Sequence, residues 1–292
     1  MKTMNHHLVR TGFQVPDLEA SVRHAVETLG LEIRNQTETQ VDLALPGQEA
    51  CFILRAHDTA NFDFMALHTS QENFDEILRR LEDNNVVNSE GVELPSPAVR
   101  FLAPNGVAVE IGVGTRPERN EQPRVGGPVI GSLDHLSFSA EDPDAFADFF
   151  VTILGFRVSD SYLNERHWLR CNANHHTVAV FRGQDGIHHY AFETSDIRGL
   201  ADLGDVLAQR DQNFMWGPGR HGLGLNIFTY HLDPAGSILE VCSNMVQIDI
   251  EENWDAQVWT DGLKSAILWG PLPPAGFREI SVPPLRTAGL AQ

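Results

Sequence analysis

Cysteine is scarce in this chain, and so are tyrosine and positive charge. The 292 residues include three cysteines and three tyrosines, and set 21 Lys and Arg against 40 Asp and Glu. Cys51, Cys171 and Cys242 lie far apart and form no C-x-x-C pair, which argues against a disulfide framework or a thiolate zinc site and for buried thiols. The formal charge of −19 repels phosphate backbones and acidic lipid surfaces, so neither nucleic acid nor a membrane is an expected partner. No apolar run approaches the roughly 20 residues that a bilayer-spanning helix needs. Met1-Lys2-Thr3-Met4-Asn5-His6-His7 lacks the apolar core of a signal peptide, so the expected location is the cytoplasm. At 42% hydrophobic, the chain buries a real core in one large domain or two ordinary ones.

An internal repeat organises what is present. Val15-Pro16-Asp17 leads through an amphipathic stretch to Leu29-Gly30-Leu31, and Ala140 to Phe149 leads in the same way to Leu154-Gly155-Phe156. The first half closes on Ala103-Pro104-Asn105-Gly106 and Glu110, the second on Asp233-Pro234-Ala235-Gly236 and Glu240. The offset is 125 residues from Asp17 to Asp142 and 130 from Glu110 to Glu240, and two copies of one unit account for the span from Leu8 to about Ser243. Leu8 to Val15 and Leu133 to Ala140 read as strands entering helices. Ala50 to Leu54, Thr177 to Phe181 and Leu225 to Tyr230 read as further strands, while Phe74, Ile77, Leu78 and Leu81 follow the spacing of a core-facing helix. The two Pro-and-Gly tetrapeptides are hairpin turns. The order is βαβββ, repeated, an α+β pattern whose curled sheets could enclose a cavity.

Histidines and a carboxylate supply candidate chemistry. His135, His189 and Glu240 come from three different strands of the second copy. Two imidazoles and one carboxylate on one face leave the other octahedral positions open, the arrangement with which non-haem Fe(II) enzymes hold substrate and O2 together. Aligning the copies puts Arg10 opposite His135, Phe64 opposite His189 and Glu110 opposite Glu240. The first copy therefore keeps one carboxylate, which cannot hold a divalent ion alone, and Glu110 is expected to be structural. Strand alternation sends His188 to the face opposite His189.

The repeat, Leu154-Gly155-Phe156, His188-His189-x-x-Phe192 and Arg220-His221-Gly222…Tyr230…Asp233-Pro234-x-Gly236…Glu240 resemble the type I extradiol ring-cleavage dioxygenases of the vicinal oxygen chelate superfamily. The resemblance covers nearly the whole chain. It implies four βαβββ modules in two tandem domains, each an open barrel-like sheet around a cavity. Residues 1–125 would form a metal-free N-terminal domain and 126–245 the catalytic one. The tail, 246–292, would be a lid over the pocket mouth or a subunit contact. Fe(II), with Mn(II) as the alternative, would sit on His135, His189 and Glu240. The implied reaction is extradiol cleavage of a catechol by O2 to a 2-hydroxymuconic-semialdehyde type of product in aromatic catabolism, by a homo-oligomer, dimer or tetramer. The resemblance further implies His176 as acid/base, with His175 a rival one residue away. It implies that His221 hydrogen-bonds a catechol oxygen and that Tyr230 orients or deprotonates the bound hydroxyl.

Two positions depart from that pattern. Trp216 stands where the homoprotocatechuate enzymes carry an Arg for the substrate carboxylate, and Ser137 replaces an Asn, which together point to an uncharged or aromatic ring substituent. His24, His57, His68, His167 and His231 match no catalytic role. Two other functions compete. A glyoxalase-like isomerase or metal-dependent transferase of the same superfamily would not need His176, His221 and Tyr230 together. A metal-free small-molecule-binding protein would not keep His135, His189 and Glu240 in register.

Overall fold

The computed structural model describes residues 5–163, 165–249 and 254–285. Four times along them a strand ends and a short polar side chain starts a helix. Asp17, Ser70, Asp142 and Asp196 each accept a hydrogen bond from a backbone N–H two or three residues ahead, satisfying a donor that the helix leaves free. The helices are α1 (Leu18–His24, continued as a π turn to Leu29), α2 (Gln71–Asp83), α3 (Pro143–Thr152) and α4 (Ile197–Ala208). In α2, Phe74, Ile77 and Leu81 are buried as the spacing predicts, but Leu78 is 39% exposed, because it lies at the edge of the apolar stripe.

The first half supplies β1 (His6–Val15), β2 (Glu32–Gln36), β3 (Gln40–Ala44), β4 (Ala50–Ala56), β5 (Asn61–Thr69), β6 (Asn88–Glu90), β7 (Ala98–Leu102) and β8 (Ala108–Val113). These strands form one sheet in the order β2-β3-β4-β1-β5-β8-β7-β6. The second half supplies β9 (Ile130–Ala140), β10 (Arg157–Tyr162), β11 (Arg166–Arg170), β12 (Val178–Arg182), β13 (Gly186–Thr194), β14 (Trp216–Arg220), β15 (Ile227–Leu232) and β16 (Ile238–Ser243). Strand β17 (Gln257–Trp259) joins them at the edge, after β10. In every module the first strand pairs in parallel with the fourth: β1 with β4, β5 with β8, β9 with β12, β13 with β16. This is four βαβββ units in two sheets, the α+β architecture the repeat implies. Strand β15 starts two residues later than its sequence suggests, because Leu225 takes a left-handed φ of 54° at the end of the Gly222–Gly224 turn.

Three irregularities interrupt the pairing of β9 with β13 in the second sheet, and two of them shape the site. At one, Ile187 faces Phe138 and His189 faces Ser137, which leaves His188 as an extra residue. At the other, Ala191 faces His135 and Phe192 faces Leu133, which leaves Asp134 extra on the opposite strand. Such insertions re-aim side chains. The first sheet has the same irregularities at Val9 and Asp63, so they belong to the repeated fold.

Aromatic side chains lock the halves together. Tyr190 meets Phe13 and Phe52 with ring centroids 4.8 and 5.2 Å apart, and Phe62 meets Phe138 at 5.5 Å. The three cysteines are free and buried, as expected. Beyond β17, a short helix α5 (Gly262–Ala266) and an extended stretch run back across the second sheet. That stretch pairs with Ile187 at Val282 and reaches Phe62 of the first sheet through Pro283 and Leu285. Residues 250–253 and 286–292 of the expected tail lie outside the described residues. Among those described, no helix is long and apolar enough to cross a membrane.

Candidate metal centre and active site

Three adjacent strands carry the candidate ligands inward. His135 lies on β9, His189 on the neighbouring β13 and Glu240 on β16, beyond it. Their ligand atoms lie within 4.8 Å of one another. Nε2 of His135 and Nε2 of His189 are each 3.2 Å from the same Glu240 oxygen, Oε2, while Oε1 accepts a hydrogen bond from the Asn226 side chain at 2.9 Å.

The donor set fits a divalent cation. The Nδ1 of His135 is already committed, 2.6 Å from Asp134 Oδ2, which the bulge at Asp134 brings beside its own neighbour. A histidine whose outer nitrogen is held by a carboxylate turns Nε2 inward, the usual preparation of a metal ligand, which takes the place of the proton shared there with Glu240. Glu240 is equally prepared. Burial opposes its charge, but His135 and His189 outweigh burial and hold its carboxyl well below the ordinary range. Burial likewise opposes charge on His135, yet Glu240 and Asp134 pull its pKa up to about 10 in the metal-free chain. The site thus demands a positive charge at its centre.

The remaining predicted residues gather on the same cavity. A cleft of about 790 Å³, including its mouth, is lined by His135, His189, Glu240, Ser137, His176, Trp216, His221 and Tyr230. His176 lies with its ring centroid 4.6 Å from that of His135, and burial pushes its pKa well below the ordinary imidazole value. His221 donates from Nδ1 to the carbonyl of Ala266 at 2.6 Å, so its Nε2 accepts from the Tyr230 hydroxyl at 3.0 Å. Burial and nearby Glu240 push the Tyr230 phenol well above its usual range. Trp216 is buried, nearly parallel to Tyr230 at 11°, with its indole N–H given to the Pro271 carbonyl.

His175 lies behind His176, outside the lining, with Nε2 3.3 Å from Asp160. His188 departs from expectation. It lines the cavity together with His189, their Nδ1 atoms 2.7 Å apart, because the bulge at His188 breaks the alternation that would have turned it away. Sequence reasoning misses Asp134 and Asn226, partners of the triad, and the cavity walls Trp168, Phe181, Phe277, Arg166 and Arg278. Only Asp134 leaves a signal, its place beside His135.

The corresponding place in the first sheet is plugged. Glu110 faces Arg100 across β7 and β8 as Glu240 faces Tyr230 across β15 and β16. Its carboxylate accepts from the backbone N–H groups of Val92, Glu93 and Leu94 at 2.9, 2.8 and 2.6 Å. Arg55 and Arg100 neutralise Asp63, Glu93 and Glu110 around it. No imidazole stands at Arg10 or Phe64, so Glu110 serves the loop.

The profile of the Glyoxalase/Bleomycin resistance protein/Dioxygenase superfamily matches residues 132–241, the stretch that holds every candidate ligand. Residues 132–241 form a domain of that superfamily. Metapyrocatechase 2 of Cupriavidus necator is 28% identical, the match covering 61% of this chain and 62% of that protein, so the chain spans less than two thirds of it. The manganese-dependent 2,3-dihydroxybiphenyl 1,2-dioxygenase of Geobacillus genomosp. 3 is 25% identical over 87% of this chain and 90% of its own. Among solved structures, the Mn(II)-bound glyoxalase from Novosphingobium aromaticivorans superposes with a TM-score of 0.86 at 22% identity, covering both chains entirely. Homoprotocatechuate 2,3-dioxygenase from Arthrobacter globiformis gives 0.84 at 21%, covering 97% of this chain and 93% of its own. The solved structures show one shared fold running through both halves of the chain.

Proposed function

We propose that the chain is an extradiol-type dioxygenase, cleaving a catechol ring beside its two hydroxyls with O2 and a divalent metal, Fe(II) or Mn(II), held by His135, His189 and Glu240. The observation that carries this reading is one cleft in which two imidazole Nε2 atoms and a carboxylate oxygen converge beside His176, His221 and Tyr230. A bound metal would supply open positions for both catechol oxygens and O2, and the electronic contact between them. The relatives named for catechol-type ring cleavage support the same chemistry.

The chain's own residues then divide the work. Tyr230 and His221 form a hydrogen-bonded pair at the cavity wall that a catechol oxygen enters, exchanging one partner for another. His176 presents a neutral imidazole beside His135, placed to hold a proton for the reacting oxygen and give it back, the ordinary role of a general acid/base. Trp168, Ala179, Val180, Phe181, Leu223 and Phe277 keep water from the ring. Trp216 adds an indole face without a free N–H, and the dihydroxybiphenyl relative agrees with such a wall. An alkyl or aryl substituent on the catechol therefore fits it best.

Anaerobic reconstitution with Fe(II), and in parallel with Mn(II), tests the reading. A panel of catechol, 3- and 4-methylcatechol, 2,3-dihydroxybiphenyl and homoprotocatechuate is then followed by O2 uptake and yellow ring-fission product. Stoichiometric metal uptake with no O2 consumed across the panel would leave the glyoxalase-like reading in its place.

A further inference from the structure

Three of the cavity imidazoles, His176, His189 and His221, share one arrangement: each spends its Nδ1 on the outside and turns Nε2 toward the cavity. His221 does so directly, on the carbonyl of Ala266. His176 and His189 do so through a second histidine, the residue just before each in sequence. The Nδ1 of His176 lies 3.1 Å from Nδ1 of His175, whose Nε2 lies 3.3 Å from the Asp160 carboxylate. The Nδ1 of His189 lies 2.7 Å from Nδ1 of His188, whose Nε2 lies 2.8 Å from the carbonyl of Phe277.

The end of each chain fixes the direction of all its bonds. A carboxylate and a carbonyl have no proton to give, so His175 and His188 donate from Nε2. A neutral ring that donates from Nε2 accepts at Nδ1, so His176 and His189 must donate from Nδ1. His176 then carries its lone pair on Nε2, and so does His189 once a metal ion replaces the proton it shares with Glu240 Oε2, 3.2 Å away. For a ligand and for a group that receives a proton, Nε2 is the atom that has to be bare.

Both anchors belong to or are held by the C-terminal segment. Phe277 lies in the segment itself, and Val282 exchanges two backbone hydrogen bonds with Ile187, at 2.9 and 2.8 Å, immediately before His188. Asp160 is fixed by the backbone N–H of Gln257 at 2.8 Å and the indole of Trp259 at 3.3 Å. Ala266, which holds His221, closes the short helix α5 of the same segment.

We propose that residues 254–285 are a tautomer clamp for the cavity imidazoles, with His175 and His188 as positioning residues that pass its hold to His176 and His189. The importance of these two bonds rests on the reading of His189 as ligand and His176 as acid/base. The tautomers themselves do not depend on it.

The decisive measurement is long-range ¹H–¹⁵N correlation on [¹⁵N]histidine-labelled protein, metal-free and loaded with diamagnetic Zn(II), alongside metal affinity by chelator competition. In the wild type, His176 is expected as the Nδ1–H tautomer in both forms, and His189 in the Zn(II)-loaded form, where the metal replaces the Nε2 proton that faces Glu240. His188→Phe keeps the ring volume but breaks the chain; it should release His189 to a mixture of tautomers and weaken metal binding by about 10- to 100-fold. His188→Asn, which keeps an acceptor near the Nδ1 position, should recover most of that loss. His175→Phe should release His176 and leave metal affinity intact. Gly186→Ala tests the segment without touching either histidine, since its Cβ would fall 2.4 Å from the Val282 carbonyl oxygen. It should disturb His189 and spare His176. A neutral Nε2–H tautomer of His176 in the wild type, or unchanged His189 signals in His188→Phe, overturns the clamp even in a protein that binds metal. Failure of the wild type to bind metal, with His176 and His189 both carrying a proton on Nδ1, would instead sink the metal reading and leave the clamp standing.

Discussion

His24, at the end of α1, and His231, on β15, meet across the junction of the two halves with their Nε2 atoms 3.2 Å apart. One ring must donate and the other accept, so the two cannot both be charged, and burial keeps the donor neutral as well. Burial pushes His24 down to about 4 and His231 to about 3. Burial also takes His6 to about 4, although its bond to the Leu154 carbonyl works the other way. The unfolded chain binds these protons near pH 6.5, whereas the folded chain resists them. Stability is therefore complete above 6.5 and is lost as the pH falls toward 4, by up to ~1.4 kcal/mol per pH unit for each histidine. Asp233 opposes this in part, because burial raises it to about 6 and its folded form gains protons first between 6 and 3.8. With three histidines against one aspartate, urea unfolding should show a clearly lower midpoint at pH 5 than at pH 7.5. His231→Phe should flatten the difference. Equal midpoints in the wild type would contradict the neutral pair.

Metal content follows the triad. His135→Ala and Glu240→Ala each remove a bond that the other two ligands cannot replace, and both should nearly abolish bound metal and turnover. Metal analysis of the reconstituted wild type should return one ion per chain. Two ions per chain would refute the single site.

Glu110 should behave in the opposite way. Its carboxylate satisfies three backbone N–H groups and faces Arg100 in a buried place. Glu110→Ala leaves those donors and that guanidinium without a partner, a loss on the order of 3–5 kcal/mol. A lower melting temperature with metal stoichiometry unchanged is the expected pair of results, and loss of metal would reopen the first sheet as a site.

Turnover and metal binding should separate at His176. His176→Phe should retain the metal and bind catechol while losing ~10²–10⁴-fold in kcat, the usual contribution of a general acid/base. If the variant loses its metal in proportion, His176 is a ligand instead.

Substrate choice sets the apolar wall against two guanidiniums at the same cleft. Trp216, Phe181 and Phe277 favour a methyl or phenyl substituent, while Arg166 and Arg278 stand where a carboxylate would be welcome. The expected order of kcat/KM places 3-methylcatechol and 2,3-dihydroxybiphenyl above homoprotocatechuate. A reversed order that Arg278→Ala restores would show that the arginines, and not the indole, govern the pocket.

Much of the fold and the site is legible in the sequence because the repeat carries it. Asp17 and Asp142 cap helices at matching places, Glu110 and Glu240 stand third in matching strands, and the candidate ligands stand in a register that a one-residue slip would destroy. The bulges are not legible. Periodicity alone assigns Asp134 and His188 to the outer face, and nothing local to either residue marks the extra step in pairing. Arg278 and Phe277 escape for a different reason, since they reach the cavity from a segment with no repeat partner and little regular structure.

The plugged cavity of the first sheet bears on any attempt to retrofit this scaffold with a second reactive centre. Writing histidines at Arg10 and Phe64 would reproduce the ligand list and still fail. The oxygens of Glu110 that a metal would need are taken by Val92, Glu93 and Leu94. Those amides would have to be given other acceptors before any imidazole was installed, so the first cut of such a redesign falls on the loop between β6 and β7.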